Sequence, residues 1–158
     1  MRRALLATAT ICAFALAPAI AKATDLPAGG MTVDDIVSWL QGAGYPASVE
    51  TNSDGTKEVV SSSDGSQFRI QMYDCNGGPR CASIEFYAGF NTHGAWNAQK
   101  MNDWNSKKRW TRAYVDNTND PWIEMDVDLS PGGTYEMLND EFSIWRSGFR
   151  DFRQYIHW

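Results

Sequence analysis

The chain is poor in the residues that most often carry out chemistry. Its 158 residues include three cysteines and two histidines. His93 and His157 lie far apart and fit no H-x-x-x-H or related spacing, so no histidine metal motif is present. Neither G-x-S-x-G nor C-x-x-C occurs. Their absence removes the usual signatures of a serine hydrolase and a thiol oxidoreductase. Positive charge is also scarce, with 14 Lys and Arg against 19 Asp and Glu and no basic stripe. Such a chain repels phosphate backbones, so nucleic acid is not an expected partner.

Long apolar runs are missing everywhere except at the start. Arg2 and Arg3 precede an uncharged apolar run over residues 4–20, followed by Ala-Ile-Ala and Ala-Lys-Ala at 19–23. This is the three-part pattern of a secretory signal peptide, expected over residues 1–23 and cut after Ala21 or Ala23. The run is short for a membrane span and contains Pro18, so no stable anchor is expected after cleavage. The expected location is periplasmic or secreted. Removing residues 1–23 takes away Arg2, Arg3 and Lys22 but no acid, leaving 11 basic against 19 acidic residues and a net charge of −8. Cys12 goes as well. The remaining pair, Cys75 and Cys81, suits a disulfide in an oxidising compartment. A C-x5-C pair can also ligate metal, but neither a second pair nor a nearby histidine completes such a site.

Residues 67–87 read as a central hairpin. Phe68, Ile70 and Met72 alternate with Gln67, Arg69, Gln71 and Tyr73; Ala82, Ile84 and Phe86 alternate with Ser83, Glu85 and Tyr87. Placing Cys75 opposite Cys81 sets Met72 against Ile84, Ile70 against Phe86, and Phe68 against Ala88. It also sets Gln71 against Glu85, Arg69 against Tyr87 and Tyr73 against Ser83. A slip by one residue would turn one strand's apolar set to the wrong side, so register and cysteines support each other.

A flexible lead is expected over 24–30. From Thr32 a helix starts with a capping box to Asp35, an apolar stripe of Val33, Ile36, Val37 and Leu40, and an end at Gly42 or Gly44. Asp-Gly turns at 54–55 and 64–65 bound strands over 47–51 and 57–62, which makes 47–89 a four-stranded antiparallel meander. A second helix is expected over about 93–107 and two further strands over 109–115 and 121–129. The last helix spans about 134–156, where Leu138, Phe142, Trp145, Phe149, Phe152 and Ile156 recur at helical spacing. The fold class is α+β: an antiparallel sheet of about six strands packed against helices, in the order helix, four strands, helix, two strands, helix.

The opening TVDDIVSWLQGAGYPASVETNSDG, the WNAQKMNDWNSKKRWTRAYVD segment and the final aromatic helix resemble the YbjN family over residues 31–158. These small bacterial proteins are described as candidate sensory transduction regulators. The resemblance implies one domain with a fold like that of type III secretion chaperones. It brings no catalytic residues and no cofactors.

The outward sheet face is therefore where function is expected. That face is expected to carry Arg69, Tyr73, Glu85, Tyr87, Trp110, Arg112, Tyr114 and Trp122, the Tyr, Trp and Arg mixture that protein-binding patches favour. A helix covering it would make the same residues rim or core. Glu124, Asp126 and Asp128 alternate on one strand and read either as a solvated face countered by Arg112 or as an acid/base or Ca2+ site. Asp116, Asn117, Asn119 and Asp120 read as turn chemistry. The leading expectation is a non-catalytic exported module, chaperone-like in its action, that binds an unidentified protein or peptide. A carboxylate-dependent hydrolase using Glu124 and Asp126, and a homodimer through the aromatic helix or a sheet edge, are the alternatives. Replacing Cys75 and Cys81 together by serine should lower stability by about 2–3 kcal/mol in urea unfolding, the value expected for opening a short loop.

Overall fold

The computed structural model describes residues 23–158; all but the last residue of the expected leader lies outside that range. The elements are α1 (Val33–Gly42), β1 (Ala47–Thr51), β2 (Lys57–Ser63), β3 (Ser66–Tyr73), β4 (Ser83–Gly89), α2 (Ala98–Asn105), β5 (Arg112–Val115), β6 (Pro121–Asp128) and α3 (Tyr135–Tyr155). The strands form one antiparallel sheet in the order β1-β2-β3-β4-β6-β5. β1 to β4 are the expected meander. β6 then pairs with β4, and β5 falls on the edge.

The central hairpin has the register that alternation predicts. Ile70 faces Phe86, Met72 faces Ile84, Arg69 faces Tyr87, Gln71 faces Glu85 and Tyr73 faces Ser83. Cys75 and Cys81 are disulfide-bonded at its tip.

One face of the sheet carries the core. Phe68 and Phe86 point to it, and α3 lays its aromatic stripe across them. Phe68 meets Phe142, Trp145 and Phe149 at ring separations of 5.9, 5.8 and 5.9 Å, and Phe86 stacks on Phe142 and Trp145. α1 joins the same layer, with Trp39 edge-on to Phe142 and its indole N–H donating to Asn139. Its capping box is formed: the Asp35 amide donates to Thr32 Oγ1 and the Thr32 amide to the Asp35 carboxylate. From α2, Trp104 packs on Phe152 and Tyr155. All three helices thus lie on the inner face.

Several expectations are corrected. The lead at 24–30 is docked rather than loose: the Leu26 amide donates to Gly133 O, and Leu26 is buried in the core. Met31 pairs with Cys81 as an antiparallel bridge. That approach needs Gly30, where a Cβ would lie 1.9 Å from Cys81 O. α2 starts at Ala98, not at 93. His93 and Gly94 have left-handed backbone, and the Asp120 carboxylate accepts from the Thr92 and Gly94 amides, so this stretch forms a turn. The helix is capped instead by Asn97, which accepts from the Lys100 amide. β5 starts at Arg112, not at 109; Thr111 packs on Gly148 of α3, where a Cβ would lie 2.6 Å from the Thr111 methyl.

The two sheet edges are treated differently. At β5 the Asn105 side chain reaches from the end of α2, donating to Ala113 O at 2.9 Å and accepting from its amide at 2.8 Å. It imitates a neighbouring strand. At β1 the Gln41 side chain donates to Ala47 O alone.

Phe86 lies between Phe142 and Trp145 with no exposure. Phe86→Ala should cost about 3–5 kcal/mol, read from the shift in the urea midpoint at constant slope.

Candidate functional site

The outer face has no helix against it among the described residues. Alternation places Glu50 of β1, Glu58 of β2, Arg69 and Tyr73 of β3, Glu85 and Tyr87 of β4, Trp122, Glu124, Asp126 and Asp128 of β6, and Arg112 and Tyr114 of β5 on it. Of the eight residues expected there, seven are present. The eighth, Trp110, precedes β5. It lines a separate open groove of about 320 Å3 with Lys108, Thr111, Ile144 and Gly148, next to α3. The sequence alternation carries Trp110 into the strand, but the chain is still leaving α2 at that point.

The outer face organises itself into two polar clusters and an aromatic ladder. In the first cluster Glu58, 3% exposed, accepts from Arg69 and from the Tyr87 hydroxyl, and Arg69 also donates to Glu50 at 2.9 Å. In the second, Arg112 donates to Glu124 at 2.8 Å and to Glu85 at 3.1 Å, and lies 3.4 Å from Asp126. The Tyr73 hydroxyl donates to the other Glu85 oxygen. Arg112 thus counters the β6 carboxylates, as expected, and also engages β4.

The ladder crosses three strands. Tyr87, Trp122 and Tyr114 stack in turn, with ring separations of 6.1 and 6.3 Å and nearly parallel planes. Gly89 makes this possible: it faces Trp122 across β4 and β6, and a Cβ there would lie 2.5 Å from the indole. The indole N–H donates to Asp116. A shallow groove of about 170 Å3 lies between Trp122, Tyr87, Arg69 and Gln67.

The charges shift the titration of their neighbours. Burial, with Glu124 alongside, pushes the Glu85 carboxyl up to about 7. Burial and Glu85 push the Tyr73 hydroxyl up to about 12. Tyr87 is raised by burial and by its bond to Glu58, and Arg112 is raised by its bond to Glu124. In the β5–β6 turn, the Thr118 hydroxyl and nearby donors hold Asp116 at about 2. Asp116 and Asp120 spend their oxygens on Thr118, Thr92 and backbone amides, so this oxygen-rich stretch is a built turn. Among the described residues no group of His, Cys, Asp and Glu is arranged to hold a metal ion.

A sequence profile named YbjN, described as "Putative bacterial sensory transduction regulator", matches residues 32–158. The chain belongs to the YbjN family. A search of curated proteins finds no match. Among solved structures, the "Crystal structure of YbjN, a putative transcription regulator from E. coli" is similar, with a TM-score of 0.53 and 18% identity. The likeness covers 80% of this chain and 89% of that one. At that identity it speaks for the shared YbjN fold alone.

Within this YbjN domain, Glu124 and Asp126 share Arg112, at 2.8 and 3.4 Å, on a sheet face and not in a cleft. Asp126 stands 61% exposed, whereas the Glu124 side chain is 12% exposed. Glu85, which alternation placed on the face without showing that it would be buried there, shares Arg112 with Glu124. The family's description as regulators fits a non-enzyme.

Glu85 has a pH signature. Its folded pKa is raised above the ordinary 4.5, so the folded state holds the proton more tightly than the unfolded chain. That stabilisation is full below 4.5 and is lost as pH rises through about 7. The melting temperature should therefore fall between pH 5 and 8, and Glu85→Gln should flatten that fall, as scanning calorimetry across the range would show.

Proposed function

We propose that this YbjN domain is a non-catalytic, exported regulatory module whose outer sheet face docks a basic segment of a protein or peptide. The observation that carries the proposal is the one-sided layering of the fold. With all three helices on the inner face, the outer face is left as an open surface with its own chemistry. Tyr114 is 41% exposed and Tyr73 is 40% exposed. Six carboxylates share the face with two arginines, and both arginines are already engaged by them. The surplus is negative, and it lies beside a stacked Tyr-Trp-Tyr ladder. Lysine and arginine side chains suit both features, because they are attracted to carboxylates and to the faces of aromatic rings. A peptide held extended over the strands would be a chaperone-like mode of binding.

Export rests on the leader pattern at residues 1–23 and accords with the Cys75–Cys81 disulfide, a bond that persists in oxidising compartments.

The test uses labelled lysine- and arginine-rich peptides with neutral peptides of equal length, titrated into residues 24–158. Basic peptides should bind, more weakly as salt rises. Tyr114→Ala and Asp126→Lys change solvent-facing side chains and should each weaken binding about tenfold while leaving the fold intact. Trp110→Ala, in its separate groove, should have no effect. Equal binding of neutral peptides, or loss of affinity on Trp110→Ala alone, would remove this reading.

A further inference from the structure

We propose that β1 is a dimerisation strand, pairing antiparallel with β1 of a second copy of this chain and centred on Val49. The proposal is independent of what the outer face binds.

The direction of the backbone groups follows from the hairpin. The Asn52 amide donates to Thr56 O, which sets the phase of the β1–β2 ladder. In an antiparallel pair the bonded positions alternate, so Glu50 and Ser48 bond to Glu58 and Val60. Ala47, Val49 and Thr51 then direct their N–H and C=O groups away from the sheet. The bond from the Gln41 side chain to Ala47 O agrees with this. Among the described residues nothing else bonds to that row, so the backbone groups of Val49 and Thr51 face solvent.

An unpaired strand edge is a template for another strand. Proteins usually block it, and this one does so at its other end, where Asn105 occupies both backbone groups of Ala113. β1 has only the Gln41 side chain on Ala47 O, which leaves the outward groups of Val49 and Thr51 uncovered. Within Ala47–Thr51 there is no proline and no lysine. The strand is also self-complementary. Centred on Val49, it lets Val49 exchange both backbone bonds with Val49 of the second copy, and Ala47 with Thr51. Glu50 then lies opposite Ser48, so no like charges stand directly opposite each other. The Val49 side chains, 37% exposed in one chain, cover each other. Such pairing would join the two sheets edge to edge and make their outer faces continuous. One five-residue strand buries little area, so the dimer is weak and forms as concentration rises.

Sedimentation of residues 24–158 from about 5 to 500 μM is the first measurement, a range suited to an interface of this size. The weight-average mass should climb from monomer towards dimer. Hydrogen exchange on the same samples should slow by about tenfold or more at the Val49 and Thr51 amides as concentration rises, because these amides are free in the monomer. Val49→Pro removes only an outward N–H, keeps the bonds to β2, and should leave a folded monomer. A monomer across the whole range overturns the proposal. So does a dimer that survives Val49→Pro, or one that forms without slower exchange at Val49 and Thr51. If the proline variant does not fold, the exchange measurement on the unaltered chain decides.

Discussion

The packing of α3 on a single face of the sheet governs the rest of the molecule. Phe142, Trp145, Phe149 and Phe152 are all buried on that side, against Phe68, Phe86, Phe90 and Trp104. A buried aromatic side chain contributes on the order of 2–3 kcal/mol, so this seam holds a large share of the stabilising free energy. α1 and α2 close the same layer from either end. A sheet covered on one side must satisfy its other face without a second apolar layer.

The outer face does so with charge and aromatic stacking. Glu58, Glu85 and Glu124 are nearly as inaccessible as core residues, yet each has an arginine or a tyrosine hydroxyl on its carboxylate. Removing one partner of such a pair leaves an uncompensated buried charge, so the network is easier to keep than to alter. It also spans the strands: Arg69 ties β3 to β1 and β2, and Arg112 ties β5 to β4 and β6. The network therefore acts against slippage of the register as well as masking the carboxylates.

Much of this organisation is legible in the sequence wherever side-chain period and local chemistry agree. The central hairpin alternates without a fault over both strands, and a slip by one residue would part Phe68 and Ile70 from Ile84 and Phe86. The last helix declares itself through a stripe of aromatics at helical spacing. The Thr32–Asp35 cap needs only neighbours in sequence. Failure begins where distant contacts decide. Asn91-Thr92 looks like a helix start, but Asp120, from another turn, takes the amides that a helix would leave free. Trp110 shares parity with Arg112 and Tyr114, but the packing of Thr111 on Gly148 delays the strand. Gly89 resembles a simple strand terminator, and its role as the floor beneath Trp122 depends on the β4–β6 pairing, which no local pattern states. The burial of Glu85 likewise depends on which strand lies beside β4.

The docking of residues 24–31 has a geometric consequence for anything joined to the front of the domain. The Tyr135 amide donates to Thr24 O, and the Thr24 amide donates to the Glu136 carboxylate, so the chain enters at the first turn of α3. From there it runs past Gly133 to the bridge between Met31 and Cys81. A leader, a tether or a fused domain would therefore leave from the helical layer. The Tyr-Trp-Tyr ladder and its carboxylates would point the other way, clear of whatever surface the front of the chain is attached to.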